Sequence, residues 1–165
     1  MQKRLRVEEK LKDLLKDTGR TVSAAESCTG GQISHLITTV SGSSAYYLGS
    51  VTSYAISVKE AVLGVNPRII EEHGVVSSEV AAAMAEGVRK VTGSTYSVAT
   101  TGLAEGGDGR YPEGTVWIGV SGPEGTITRI YRCNLGRKGN IHRFANIALS
   151  TLTQYIQKQQ IINNQ

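Results

Sequence analysis

A strand, a glycine-rich loop and a helix follow one another without interruption near the N-terminus, and this unit restricts the fold more than any other feature of the chain. Thr21 to Ala25 is small and β-prone and reads as a buried strand. It runs into Glu26-Ser27-Cys28-Thr29-Gly30-Gly31, after which Gln32 to Val40 takes helical spacing through Ile33, Leu36 and Ile37. The alternation continues. Tyr47 to Tyr54 reads as a strand, Ser57 to Leu63 as a short helix ended by Gly64, and residues 67–73 as a helix begun by Pro67. Ser77-Ser78-Glu79 opens a longer helix to about Val91, with Val80, Met84, Val88 and Val91 on one face. Tyr96 to Thr101 is a third inner strand. Thr115 to Ser121 and Thr126 to Cys133 form a hairpin through Gly122-Pro123-Glu124-Gly125.

Amphipathic spacing of Val7, Leu11, Leu14 and Leu15 predicts a helix over residues 3–17. Ile141, Phe144, Ala148, Leu152 and Tyr155 mark the last one. Interleaved strands and helices with one late hairpin predict an α/β fold, a three-layer α/β/α sandwich around a mixed sheet. With no repeat and no linker, residues 1–165 read as a single domain, and the polar tail 158–165 is expected to fray.

Composition closes off several classes. Nineteen glycines without a G-x-y period, beside only three prolines, exclude a collagen repeat and Pro-rich disorder. Cys28 and Cys133 give no disulfide framework, so a reducing, cytoplasmic setting is expected. No apolar run approaches the roughly 20 residues that span a bilayer, and no membrane association is expected. His35, His73 and His142 stand apart from one another, which predicts neither a metal site nor a cofactor. Residues 126–165 hold six basic side chains, Arg129, Arg132, Arg137, Lys138, Arg143 and Lys158, and no acid. That sign suits an anionic partner, although a solvated basic face would look the same. The lone Trp and lone Phe provide no stacking platform, so a small phosphorylated ligand fits better than nucleic acid.

Three segments could carry chemistry. In the Ser27 to Gly31 loop, backbone amides at a helix N-terminus and the hydroxyls of Ser27 and Thr29 suit an anion, while a helix cap with turn glycines explains the same residues. The loop lacks the lysine of a phosphate-binding P-loop and the G-x-G-x-x-G of dinucleotide folds. Ser44 follows Gly42-Ser43, Tyr54 comes ten residues later and Lys59 five after that. A serine nucleophile without histidine needs a neutral lysine, or a lysine and tyrosine relay, to take its proton. Cys28 with a histidine is a thiol alternative. Finally, Thr100 to Gly109 leaves a strand end, where open α/β sheets bind ligands, and reads equally as a substrate-shaping wall or a mobile surface loop.

Together these segments resemble the CinA C-terminal domain family, whose standalone members are nicotinamide mononucleotide deamidases. The resemblance rests on Ala25-Glu26-Ser27-Cys28-Thr29-Gly30-Gly31, Gly42-Ser43-Ser44-Ala45, and Tyr54 with Lys59. It continues through Leu63-Gly64-Val65, His73-Gly74-x-Val76-Ser77, Thr101-Gly102-x-Ala104, Pro112-x-Gly114-Thr115-Val116, Arg137 and Arg143, over about residues 5–157. It implies a metal-independent amidohydrolase of pyridine nucleotide salvage that needs no cofactor and forms a homo-oligomer. By position it implies Ser44 as nucleophile, Lys59 as base and Tyr54 as relay. Ser27, Thr29, Gly30, Gly31, Ser43, Thr101 and Gly102 become substrate-binding groups, with Arg137 near the phosphate. Two stretches depart from the pattern: Tyr54-Ala55-Ile56 replaces Y-S-N, and Gly102-Leu103-Ala104-Glu105 places an acid where the family has glycine. Two further readings follow from the same resemblance, a nucleotide-binding module without catalysis and a competence- or DNA-damage-associated protein.

Overall fold

The computed structural model describes residues 5–163. In chain order the helices are α1 (Val7–Leu15), α2 (Gln32–Thr38), α3 (Ile56–Ala61), α4 (Pro67–His73), α5 (Ser78–Thr92) and α6 (Gly136–Asn163). The strands are β1 (Val22–Glu26), β2 (Tyr47–Thr52), β3 (Tyr96–Gly102), β4 (Thr115–Gly122) and β5 (Gly125–Arg132), joined in one sheet of order β2-β1-β3-β4-β5. β1 pairs in parallel with β2 and β3, and the β3-β4 and β4-β5 pairs are antiparallel. The mixed sheet follows from the hairpin, whose ends Gly122 and Gly125 pair with each other across Pro123-Glu124.

Both faces of the sheet are covered, which is why every residue of β1 is buried. Successive side chains alternate between faces. Val22, Ala24, Val98 and Ile118 pack with Leu11, Ile33, Phe144 and Leu152 beneath α1, α2 and α6. Ala25 and Ala99 point the other way, toward Val80, Met84 and Val88 of α5. The second layer is thin because α5 lies directly on the sheet backbone. A Cβ at Gly119 would stand 2.3 Å from the Ala81 carbonyl oxygen, so only glycine fits there.

Three expected boundaries move. α1 covers only Val7–Leu15 of the span 3–17, and residues 3 and 4 of that span lie outside the described residues. β2 stops at Thr52, because Ser53 and Tyr54 turn away to place their carbonyls on a lysine. The tail expected to fray instead continues α6 to Asn163. Gln159 is buried there, and Gln160 Nε2 donates to the Leu14 carbonyl at 3.2 Å, which ties the tail to α1. Residues 164 and 165 of that tail lie outside the described residues. Among the described residues no helix is long and apolar enough to cross a membrane.

The strand order positions the site. The chain leaves β1 toward β2 on one side and later returns to lay β3 parallel to it on the other, so the order of strands reverses at the β1/β3 pair. Crevices form at the carboxyl ends of strands at such reversals. Glu26 and Thr100 are partners there, and Ser27 and Gly102 lie just beyond.

Candidate active site

The loop after β1 is organised by a buried carboxylate. Glu26 Oε1 accepts from the Ile33 amide at 2.8 Å and from Thr29 Oγ1 at 2.7 Å, and Oε2 accepts from the Ser34 amide at 3.0 Å. The N-terminus of α2, read from sequence as a place for a ligand anion, is therefore filled by the chain's own anion. Thr29 also touches Thr100 Oγ1 at 2.9 Å, and Gly30 and Gly31 supply left-handed turns at φ 57° and 104°. Thr29, Gly30 and Gly31 thus build the turn, and only Ser27 and Cys28 of this loop reach the cavity. Glu26→Ala strands two helix amides and a hydroxyl, and is expected to cost about 3 kcal/mol of stability. Urea unfolding checks this as a lowered midpoint at unchanged slope.

Lys59 is the second built feature. Its side chain projects from α3 into the interior and is only 1% exposed. Nζ lies 2.9 Å from Ser27 Oγ and donates to the carbonyls of Ser53 at 2.5 Å and Tyr54 at 3.3 Å. No carboxylate among the described residues lies within ion-pair distance of it. Burial pushes its pKa below the usual lysine value, with the neighbouring Cys28 sulfur opposing weakly. The geometry then decides how a neutral amine would point. Carbonyl oxygens only accept, so they hold the two remaining hydrogens, and the lone pair is left facing Ser27 Oγ. A hydroxyl donating to that lone pair is a nucleophile beside its base.

Burial pushes the Cys28 thiol up to about 12, with a hydrogen bond to Thr100 working the other way. It stays a thiol at neutral pH, and no histidine among the described residues lines the cavity beside it. Cys28 instead helps to wall the cavity.

Ser44, the serine that the resemblance pairs with Lys59, lies away from that lysine. Ser44 is exposed in the one-turn 3-10 helix Ser43–Ala45, immediately before β2. Tyr47 at the start of β2 pairs with Val22, at the end of the sheet opposite Glu26 and Thr52. Five residue steps of strand, roughly 17 Å, separate these two ends. Neither Ser44 nor Ser43 lines the cavity that holds Lys59. Ser27, not Ser44, is the serine beside Lys59. Its fixed distance from an alternating strand and helix was visible in the sequence, but the turn that aims Lys59 at it was not. Tyr54 also changes role: its carbonyl, not its hydroxyl, contacts Lys59, and the hydroxyl accepts from Arg137 Nη2 at 3.3 Å. Thr101 is buried with its hydroxyl on the Val75 carbonyl at 2.7 Å, so it braces the wall, while Gly102 lines the cavity itself.

The cavity measures about 260 Å³, with Ser27 and Lys59 at its base and Tyr54, Gly102, Glu105 and Arg137 around it. Arg137 is the one member of the basic C-terminal segment that reaches it. Arg143 lies instead with Lys10 and Tyr131 in a larger crevice of about 450 Å³ between α1, β5 and α6, which contains no buried base. Asn140 was not singled out by the sequence. It is buried, its Nδ2 donates to the Ala104 carbonyl at 2.9 Å, and its Oδ1 accepts from the Leu135 amide at 3.1 Å. It joins the start of α6 to the cavity wall and so fixes Arg137 beside Glu105. The loop beyond is pinned as well: Asp108 accepts from the amides of Arg110 and Tyr111, and Arg110 donates to the His73 carbonyl.

A serine hydroxyl against a buried lysine, at the carboxyl ends of a mixed sheet in an α/β/α sandwich, defines a Ser-Lys site on an open α/β fold. Residues 4–156 match the CinA C-terminal domain, and the chain belongs to that family. It is 48% identical over 141 residues to a CinA-like protein of Salinibacter ruber, covering 84% of this chain and 34% of that protein. With a CinA-like protein of Desulfosudis oleivorans it shares 46% over 151 residues, or 90% and 37% of the two chains. The chain thus spans about a third of the length of these relatives. Among solved structures, a competence or damage-inducible protein from Enterobacter asburiae superposes with a TM-score of 0.87 at 27% identity, covering 91% of this chain and 96% of that one. The competence/damage inducible protein CihA from Agrobacterium tumefaciens gives 0.81 at 29% identity, covering 99% and 100%.

Proposed function

We propose that this protein hydrolyses the carboxamide of nicotinamide mononucleotide, with Ser27 as nucleophile and Lys59 as its base. The observation that carries the reading is the 2.9 Å contact between Ser27 Oγ and a buried lysine Nζ that has no carboxylate partner among the described residues. Lys59 takes the hydroxyl proton as Ser27 Oγ attacks the carboxamide carbon. The tetrahedral adduct collapses with that proton passing to the leaving nitrogen, so ammonia departs and an ester to Ser27 remains. A water that gives its proton to Lys59 then attacks the ester carbon, releasing nicotinate mononucleotide and restoring the hydroxyl.

Family membership and the cavity support the substrate. Arg137 offers a planar fork of N–H donors at the rim, suited to a phosphate, while the reacting pair sits at the base. A mononucleotide has its phosphate and its carboxamide at opposite ends, which matches that separation. The test is release of ammonia and nicotinate mononucleotide from nicotinamide mononucleotide by the purified chain with EDTA present. Turnover is expected. Ligand-induced thermal stabilisation with no product would instead make the protein a nucleotide-binding module.

A further inference from the structure

We propose that Glu105 is a built-in counter-ion for Arg137 that competes with the ligand's anion and so sets how tightly phosphorylated molecules bind. Glu105 Oε2 lies 3.7 Å from Arg137 Nη1, while Arg137 Nη2 is engaged by Tyr54 Oη at 3.3 Å. All three side chains line the mouth of one cavity. A carboxylate and a phosphate present similar oxygens to a guanidinium, so a phosphate arriving at Arg137 meets a site already holding an anion.

The surroundings keep Glu105 there. The Leu103 amide donates to the Thr115 carbonyl at 2.8 Å, and the Ala104 carbonyl accepts from Asn140 at 2.9 Å. The backbone on the N-terminal side of Glu105 is therefore tied to β4 and α6, and only the side chain is free to swing. If it stays, two anions share one arginine; if it leaves, the ion pair is lost. The side chains are 66% and 49% exposed, so the pair itself is weak and repulsion is the larger effect. Removing the charge is expected to tighten phosphate binding about fivefold at low salt, less as screening grows. A ligand without phosphate leaves the pair intact and gains nothing from its removal. Glu105 thereby narrows the preference for a nucleotide over its nucleoside.

The inference rests on the reading that Arg137 meets the ligand's anion, but not on the chemistry at Ser27. Inorganic phosphate is titrated calorimetrically into wild type, Glu105→Gln, Arg137→Ala and Glu71→Gln, the last removing an equal charge from α4 outside the cavity lining. Glu105→Gln is expected to bind phosphate about fivefold tighter, Glu71→Gln as wild type, and Arg137→Ala far more weakly. Where turnover is present, KM for nicotinamide mononucleotide should fall by the same factor in Glu105→Gln, and KM for nicotinamide riboside should not. Unchanged or weaker phosphate binding in Glu105→Gln overturns the proposal, as does equal tightening in Glu71→Gln or no phosphate binding by any variant. Tightened phosphate binding in a chain without amidase turnover would remove the reaction and leave the counter-ion standing.

Discussion

Ser27→Ala is expected to lower nicotinamide mononucleotide deamidation by about a thousandfold or more, whereas Ser44→Ala leaves it within about twofold. The asymmetry follows from where β2 places the two serines. Ser27 lies at the carboxyl end of β1, 2.9 Å from Lys59 Nζ, and its amide is held by the Thr100 carbonyl at 3.2 Å, so its backbone is fixed at the cavity floor. Ser44 lies before the opposite end of β2 and is exposed. Loss of the Ser27 hydroxyl removes the atom that forms the acyl bond and leaves only substrate positioning. Steady-state kinetics with both variants, alongside unfolding curves to show that each is folded, read the difference. Comparable losses in both, or a loss only in Ser44→Ala, would contradict the assignment.

Lys59→Met is expected to be as inactive as Ser27→Ala and to change the pH dependence of stability. Lys59 is buried, and its folded pKa lies below the ordinary value near 10.5 that the unfolded chain restores. Between the lowered value and 10.5 the unfolded state binds more protons than the folded state, so stability rises with pH across that window. Below the folded pKa the ammonium is charged in both states and the full cost of burying it is felt. Wild type is therefore expected to gain stability as pH rises through the window, and Lys59→Met to lose that slope. Activity should follow the same group: the rate rises with pH as Lys59 sheds its proton, with an apparent pKa below 10.5. Urea midpoints and kcat/KM measured over one pH series test both. Parallel stability profiles for the two proteins, or a rate independent of pH below 10, would remove Lys59 from the role of base.

Much of the architecture could be read from spacing. β1 and β3 announce themselves as short runs of small and β-prone residues, and the hairpin between β4 and β5 announces itself through Gly122-Pro123-Glu124-Gly125. Such signals are local, and burial on both faces leaves little else for those segments to become. The helical continuation of the polar tail was hidden for the opposite reason. Its helix is held by contacts with α1, such as Gln160 to Leu14, which no local pattern reveals.

The site was legible in its residue types but not in its pairings. Lys59 and Tyr54 belong to one short stretch, and Ser27 and Ser44 are both serines in small-residue loops. Which serine meets the lysine depends on which end of the sheet each loop reaches, a consequence of the parallel β1-β2 register. The acceptor role of Glu26 was hidden as well. The α2 amides read as free for a ligand anion until Glu26 is seen to accept from them. Asn140 gave no signal at all, since its importance lies in joining Ala104 and Leu135 across 36 and 5 residues of chain.

Trapping the covalent intermediate reports directly on which side chain carries the acyl group. The protein is mixed with nicotinamide mononucleotide, quenched in acid during turnover and digested, and the peptides are weighed by mass spectrometry. A nicotinate mononucleotide ester is expected on the peptide containing Ser27, absent from Ser27→Ala and from Lys59→Met. An adduct on Ser44 or Cys28, or turnover in Ser27→Ala at the wild-type rate, would contradict it.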